Sequence, residues 1–186
     1  VNPEPLADFI DFFSLGEGED ITKEILECYR QAKKEACSKE EFLLRVSRID
    51  GVYVPSFYEH TYNPDGTLAA ITPKHGAPEG VRKRIVQDLD QAYFPTKTIV
   101  PSTEIVHDRT NLEVFRGCIR GCRFCQAGFC YRPVRAKSAD TLCQQAIESL
   151  EDSGNSEMTL ASLSTSDYRH LPELADKLLS YCEPRK

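Results

Sequence analysis

The 186-residue sequence predicts an α/β protein, and three observations carry that reading. From residue 111 onward the pattern alternates as strand, loop, helix, strand, loop, helix. Such alternation implies parallel strands joined by right-handed crossovers. Before residue 105 the pattern is mixed, with helix-like stretches, one hairpin and a short apolar strand. Hydrophobic residues make up 40% and charged residues 28% of the chain, enough apolar side chains for a packed core. Two parallel strands cannot close a sheet or cover both of its faces. The last segment therefore reads as the first βα units of a partial (β/α) barrel. The chain opens on Val1 rather than Met and stops just past a helix pattern. We expect an internal piece of a larger protein, inactive alone.

Residues 9–15, Phe-Ile-Asp-Phe-Phe-Ser-Leu, read as a buried strand. Gly16-Glu-Gly-Glu-Asp20 makes a turn, with Asp20 as the expected N-cap. Ile21, Ile25, Tyr29 and Ala32 recur at helical spacing up to about Lys34. Ser38-Lys-Glu-Glu41 is a capping box that opens a second helix, with Phe42, Leu43 and Val46 on its apolar face. Asn63-Pro-Asp-Gly66 is a strong turn signal, and residues 67–71 pair with those before it as a hairpin. His60 and His75 flank the hairpin as surface or edge histidines. Val81, Ile85, Leu89 and Ala92 mark one face of a third helix over residues 81–93. Phe94-Pro95 and Val100-Pro101 break that pattern, so residues 94–104 read as an extended linker. Residues 111–115, Asn-Leu-Glu-Val-Phe, form the next strand. Ser138 caps a helix that Gly154 ends, with Leu142, Ala146, Ile147 and Leu150 on its buried side. Residues 157–163 read as a strand, and Pro172 sits near the start of the last helix, where Pro is tolerated.

The formal charge of −6 gives no support to a generally nucleic-acid-binding surface. No apolar run approaches transmembrane length and no signal peptide opens the chain, so the expected location is cytoplasmic and no membrane partner is expected. Of the eight cysteines, four fall within residues 118–130. That clustering favours a metal site in a reducing compartment over a disulfide framework. Cys28, Cys37, Cys143 and Cys182 lie in helix-like stretches as ordinary small apolar residues.

Cys118-Ile-Arg-Gly-Cys122-Arg-Phe-Cys125 decides the functional reading. Three thiols at C-x3-C-x2-C spacing on a loop directly after a strand can hold three irons of a cubane cluster. The fourth iron is then left open to a substrate. The competing reading is a zinc site, or a closed electron-transfer cluster, with Cys130 as the fourth thiolate. Residues 116–137 hold Arg116, Arg120, Arg123, Arg132, Arg135 and Lys137 and no acid, a local reversal in an acidic chain. Cationic groups there stabilise an anionic cluster, and a contact with RNA phosphates is the alternative. Gly117, Gly121 and Gly128 let the loop backbone approach a bound group closely.

This motif resembles the signature of the radical S-adenosylmethionine (radical SAM) enzymes, C-x3-C-x-aromatic-C after the first barrel strand, with Phe124 in the aromatic position. The resemblance implies a TIM-like core barrel over residues 105–186. It also implies a [4Fe-4S] cluster held by Cys118, Cys122 and Cys125, with S-adenosylmethionine on the open iron. Reductive cleavage then gives methionine and a 5′-deoxyadenosyl radical that acts on a substrate the sequence does not reveal. The cofactor carries that chemistry and the protein positions it. An external one-electron reductant such as flavodoxin or ferredoxin is the implied partner, together with the unknown substrate. Phe124 is expected beside the adenine. Ser162-Leu-Ser-Thr-Ser-Asp167 stands where many members carry a Gly-Gly-Glu-like run. It resembles the serine-rich version of the methylthiotransferase-like and cobalamin-associated branches, which implies that Ser162 and Ser164 contact the cofactor. Cys130 is expected not to ligate in the active state, because a fourth thiolate would occupy the iron that the cofactor must reach. The strand, Gly-Glu-Gly-Glu turn and helix over residues 1–35 resemble the end of a cobalamin-binding-like Rossmann domain. Cobalamin loops would then lie upstream, in a full-length protein. Residues 36–104 are expected as a helical and β-hairpin connecting region.

Overall fold

The computed structural model describes residues 2–103 and 105–185. The described chain is mixed α/β, with four two-stranded sheets, none of them closed. It divides into two compact units, one up to Val86 and one from Gln87 onward.

In the first unit a 3-10 turn at Glu4–Leu6 precedes strand β1, Phe13–Ser14, and helices α1, Gly18–Lys34, and α2, Lys39–Val46, follow. Helix α1 has acids in its first turn and Lys33 and Lys34 in its last, the order that complements the helix dipole. Ile21 and Ala32 are buried, and Ile25 and Cys28 pack against the core that contains Ile21. Helix α2 starts as its sequence requires. The Ser38 side chain accepts from the Glu41 N–H at 3.2 Å and the Glu41 carboxylate accepts from the Ser38 N–H at 2.9 Å. Strand β2, Val52–Tyr53, pairs antiparallel with β1. The hairpin of β3, Tyr58–Tyr62, and β4, Leu68–Pro73, closes at the Asn63-Pro-Asp-Gly66 turn, where the Gly66 N–H donates to the Asn63 carbonyl.

Three expected elements differ from the structure, one of them the strand over residues 111–115, which breaks at Val114. Of residues 9–15 only Phe13–Ser14 is strand, and Phe9 is 83% exposed. Its partner β2 is only two residues long, because Pro55, without an N–H, ends the ladder. Residues 81–93 form no α-helix. The charges disfavour one: Arg82, Lys83 and Arg84 would occupy the first turn, and Asp90 the last, opposed to the dipole. The backbone groups have other partners. The Arg84 N–H donates to the Leu15 carbonyl at 2.7 Å, and the Glu17 N–H donates to the Arg84 carbonyl at 2.9 Å. Gly16 permits this approach: its φ is +112°, and a Cβ there would lie 2.0 Å from the Arg84 carbonyl oxygen. The Glu17 carboxylate, which precedes α1 in place of the expected Asp20 cap, accepts from the Val86 N–H at 2.6 Å.

In the second unit residues 94–103 have no regular structure, as the linker reading expects, and Glu104 lies outside the described residues. Strand β5, Thr110–Glu113, is followed by β6, Phe115–Arg116, the short helix α3, Ala127–Cys130, and β7, Arg135–Ala136. Helix α4, Ala139–Ser153, strand β8, Met158–Ala161, and helix α5, Leu171–Cys182, complete the unit. Ser138 caps α4, accepting from the Thr141 N–H, and left-handed Gly154 ends it. Strands β5 and β8 run parallel in the register Thr110↔Met158 to Glu113↔Ala161, so β5, α4 and β8 form a βαβ arrangement. Strands β6 and β7 pair antiparallel. The core consists of Leu112, Val114, Phe115, Ala139, Leu142, Ala146, Tyr168 and Leu174. Each fully buried leucine contributes about 2 kcal/mol by removal from water. Tyr168 stacks on Phe115 and donates its hydroxyl to the Lys137 carbonyl at 2.8 Å, tying the start of α4 to the segment before α5.

Candidate functional site

The cysteine loop leaves the fold at the C-terminal end of β6 and returns at β7. Those strands pair Phe115 with Ala136 and Arg116 with Arg135, so residues 117–134 form an excursion with a closed neck. Gly117 makes the neck possible. Its φ is +91°, and a Cβ would sit 2.8 Å from the carbonyl oxygens of both Tyr131 and Pro133. By contrast, a Cβ on Gly121 would meet nothing within 4 Å, and one on Gly128 would lie 3.4 Å from the Arg120 carbonyl oxygen. Of these three glycines, only Gly117 sits where a Cβ would clash, and it would clash with the loop's own backbone.

Cys118 is buried, Cys125 and Cys130 are half-buried, and Cys122 is exposed. The Cys118 sulfur accepts from the Arg120 N–H at 3.3 Å, and the Cys125 N–H donates to the Cys122 carbonyl at 3.1 Å. Among the described residues, no three His, Cys, Asp or Glu side chains converge as a group that could hold a metal ion. The donor set nevertheless suits an iron–sulfur cluster in its chemistry, with three soft sulfur donors on one short loop. Phe124 is 92% exposed and offers an open ring face beside the thiols.

The serine loop follows β8, so it emerges at the strand end where β5 leads on into β6 and the cysteine loop. The Ser162 and Thr165 hydroxyls lie 2.7 Å apart, and the Ser164 hydroxyl donates to Asp167 Oδ2 at 2.6 Å. Both serines, expected as cofactor contacts, have partners within their own loop here. The two loops are joined by Arg120. Its Nε donates to Asp167 Oδ2 at 2.8 Å and its Nη2 donates to Oδ1 of the same carboxylate. The Arg120 guanidinium, followed by the Ser164 hydroxyl, holds the Asp167 carboxyl below its usual range.

The basic run is less free than its composition suggests. Arg116 forms a bidentate pair with Glu113, at 2.9 and 3.0 Å. Arg132 stacks over the Phe129 ring. Lys137 is only 2% exposed; its Nζ donates to Gln145 Oε1 at 2.9 Å and lies 4.3 Å from the centroid of the Phe94 ring. Burial pushes the Lys137 ammonium down from its ordinary value. Sequence reasoning missed these pairings, because Glu113 lies just outside the run and Asp167 lies 47 residues from Arg120. His60, expected at a surface or edge, is placed 3.5 Å from the Glu4 carboxylate, which also accepts from the Tyr53 hydroxyl.

Residues 1–55 match the family model described as "Radical SAM proteins, N-terminal". The chain is similar to an uncharacterized protein, MJ0966, of Methanocaldococcus jannaschii, at 28% identity over 177 residues. That match covers 94% of this chain and 32% of the relative, so the chain spans about a third of the relative's length. No solved structure matches it. Among the described residues, no helix is long and apolar enough to cross a membrane. The match over residues 1–55, together with a C-x3-C-x2-C loop at the end of a strand, supports a place for this chain among the radical SAM proteins.

Proposed function

We propose that residues 105–186 are the cluster-binding part of a radical SAM enzyme, with Cys118, Cys122 and Cys125 as the ligands of a [4Fe-4S] cluster. The observation that carries the proposal is the C-x3-C-x2-C loop that follows β6, itself the direct continuation of β5, the strand paired in parallel with β8. Loops at that end hold the chemistry in (β/α) barrels, and β5, α4, β8 and α5 are read as the first units of such a barrel. When bound, the cluster supplies one electron for the reductive cleavage of S-adenosylmethionine. The chain's own residues bind and orient. The three thiolates hold iron, and exposed Phe124 offers its ring to the adenine. Ser162 and Ser164 place hydroxyls on the neighbouring loop for the polar end of the cofactor. Residues 1–35 are read as the end of a Rossmann-like domain and 36–104 as a connecting region, and no residue of this chain is assigned to cobalamin. A soluble electron donor of the flavodoxin or ferredoxin type, in the cytoplasm, completes the proposal.

Anaerobic reconstitution with iron and sulfide tests it. The expected product is brown, carries about four irons per chain and changes its spectrum on addition of S-adenosylmethionine. Cys118→Ala, Cys122→Ala and Cys125→Ala should each abolish iron uptake. A colourless protein with one zinc, or full iron content in Cys122→Ala, would overturn the assignment.

A further inference from the structure

We infer that Arg120 and Asp167 form a latch that positions the cysteine loop, a role that rests on the proposal that this loop holds the cluster. Arg120 lies midway between Cys118 and Cys122, two residues from each. Its side chain makes two hydrogen bonds to one carboxylate on the loop after β8. The paired geometry fixes orientation as well as distance, which a single bond to a lysine would not do. Asp167 is itself held: its side chain is only 11% exposed, and Ser164 donates to the same oxygen that accepts from Arg120 Nε. The far end of the latch is therefore a fixed point on the β8 loop.

The near end acts through the main chain. The Arg120 N–H donates to the Cys118 sulfur, so anchoring the guanidinium also holds the peptide that faces the first thiol. Cys122 is two residues further on, and its carbonyl accepts from the Cys125 N–H. Gly117 closes the neck of the excursion, and the latch ties down its outer limb. Neither Arg120 nor Asp167 is a ligand; both are positioning residues that act through the cysteines between which Arg120 sits. Residues that orient ligands in this way typically change metal affinity by about 10- to 100-fold when removed.

The test uses Arg120→Gln, Asp167→Asn and the double variant, with two readouts. The first is release of iron from the reconstituted protein to a chelator, expected to be about tenfold faster in either single variant. The double variant should be no faster than the singles, because both changes break one unit. The second readout is chymotrypsin cleavage after Phe124 in the metal-free protein, expected to be severalfold faster in all three variants. Arg120→Lys, which keeps the charge and loses the paired geometry, should fall between wild type and Arg120→Gln. If wild type takes up no iron but the variants are cleaved faster after Phe124, the cluster assignment falls and the latch stands. If iron is taken up and neither release nor cleavage changes, the latch falls and the cluster assignment stands. Effects that multiply in the double variant would also overturn it, because the two residues would then act independently.

Discussion

Replacing Gly117 with alanine should destabilise the second unit far more than the same change four residues later. Gly117 has φ +91°, where a side chain is strained by about 1–2 kcal/mol. The added Cβ would lie 2.8 Å from two carbonyl oxygens and 2.9 Å from the Val134 Cα, all backbone atoms that cannot swing aside. Forcing such a contact costs a further ~1–3 kcal/mol, by comparison with overpacked cores. The sum, about 2–5 kcal/mol, is a large part of the 5–15 kcal/mol that typically holds a domain folded. At Gly121 a Cβ meets nothing within 4 Å and the glycine has no positive φ, so alanine there should change stability by no more than about 1 kcal/mol. Urea unfolding of the metal-free proteins, followed by circular dichroism, measures both. Equal unfolding midpoints for Gly117→Ala and Gly121→Ala would refute the argument from the neck.

Ser38→Ala removes the hydroxyl that accepts from the Glu41 N–H at the start of α2, while the backbone N–H of residue 38 keeps its bond to the Glu41 carboxylate, and should cost about 1 kcal/mol; an unchanged urea midpoint would contradict this. Lys137→Met should leave stability at pH 7 equal or higher, because it removes a buried ammonium whose charge Glu113 and Asp90 favour and Arg116 disfavours. With its folded pKa below the unfolded 10.5, wild-type Lys137 binds fewer protons folded than unfolded, so its contribution rises with pH between those two values. The variant should lose that rise, and a loss of more than about 2 kcal/mol at pH 7 would show that the Phe94 ring and Gln145 outweigh the burial. Cys130→Ser should keep the iron content of wild type and its spectral response to S-adenosylmethionine. Loss of the cluster in that variant would favour a closed four-thiolate site.

What could be read from the chain was local. The Ser38 and Ser138 caps, the Asn63-Pro-Asp-Gly66 turn, the Gly154 stop and the cysteine spacing each depend on residues within one or two helical turns of one another. Their physics is complete in a short window, so pattern alone predicted them. The alternation after residue 111 also anticipated the parallel β5–β8 pair, because a helix between two strands leaves little other choice. The tertiary structure decided what depends on distant partners. The apolar spacing over residues 81–93 suggested a helix, but the Arg84 and Val86 backbone groups bond to Leu15 and Glu17 instead. In the sequence the basic run around the cysteines reads as charge facing an anionic cluster or RNA phosphates. Glu113 and Asp167 take up two of its arginines, and burial takes Lys137. No periodicity encodes a hydrogen bond across 47 residues, since its energy depends on two loops being brought to the same strand end. Which side chains could ligate was written in their order along the chain. Which of their neighbours hold that loop in place emerged only when β6 and β8 set the two loops within reach of one guanidinium.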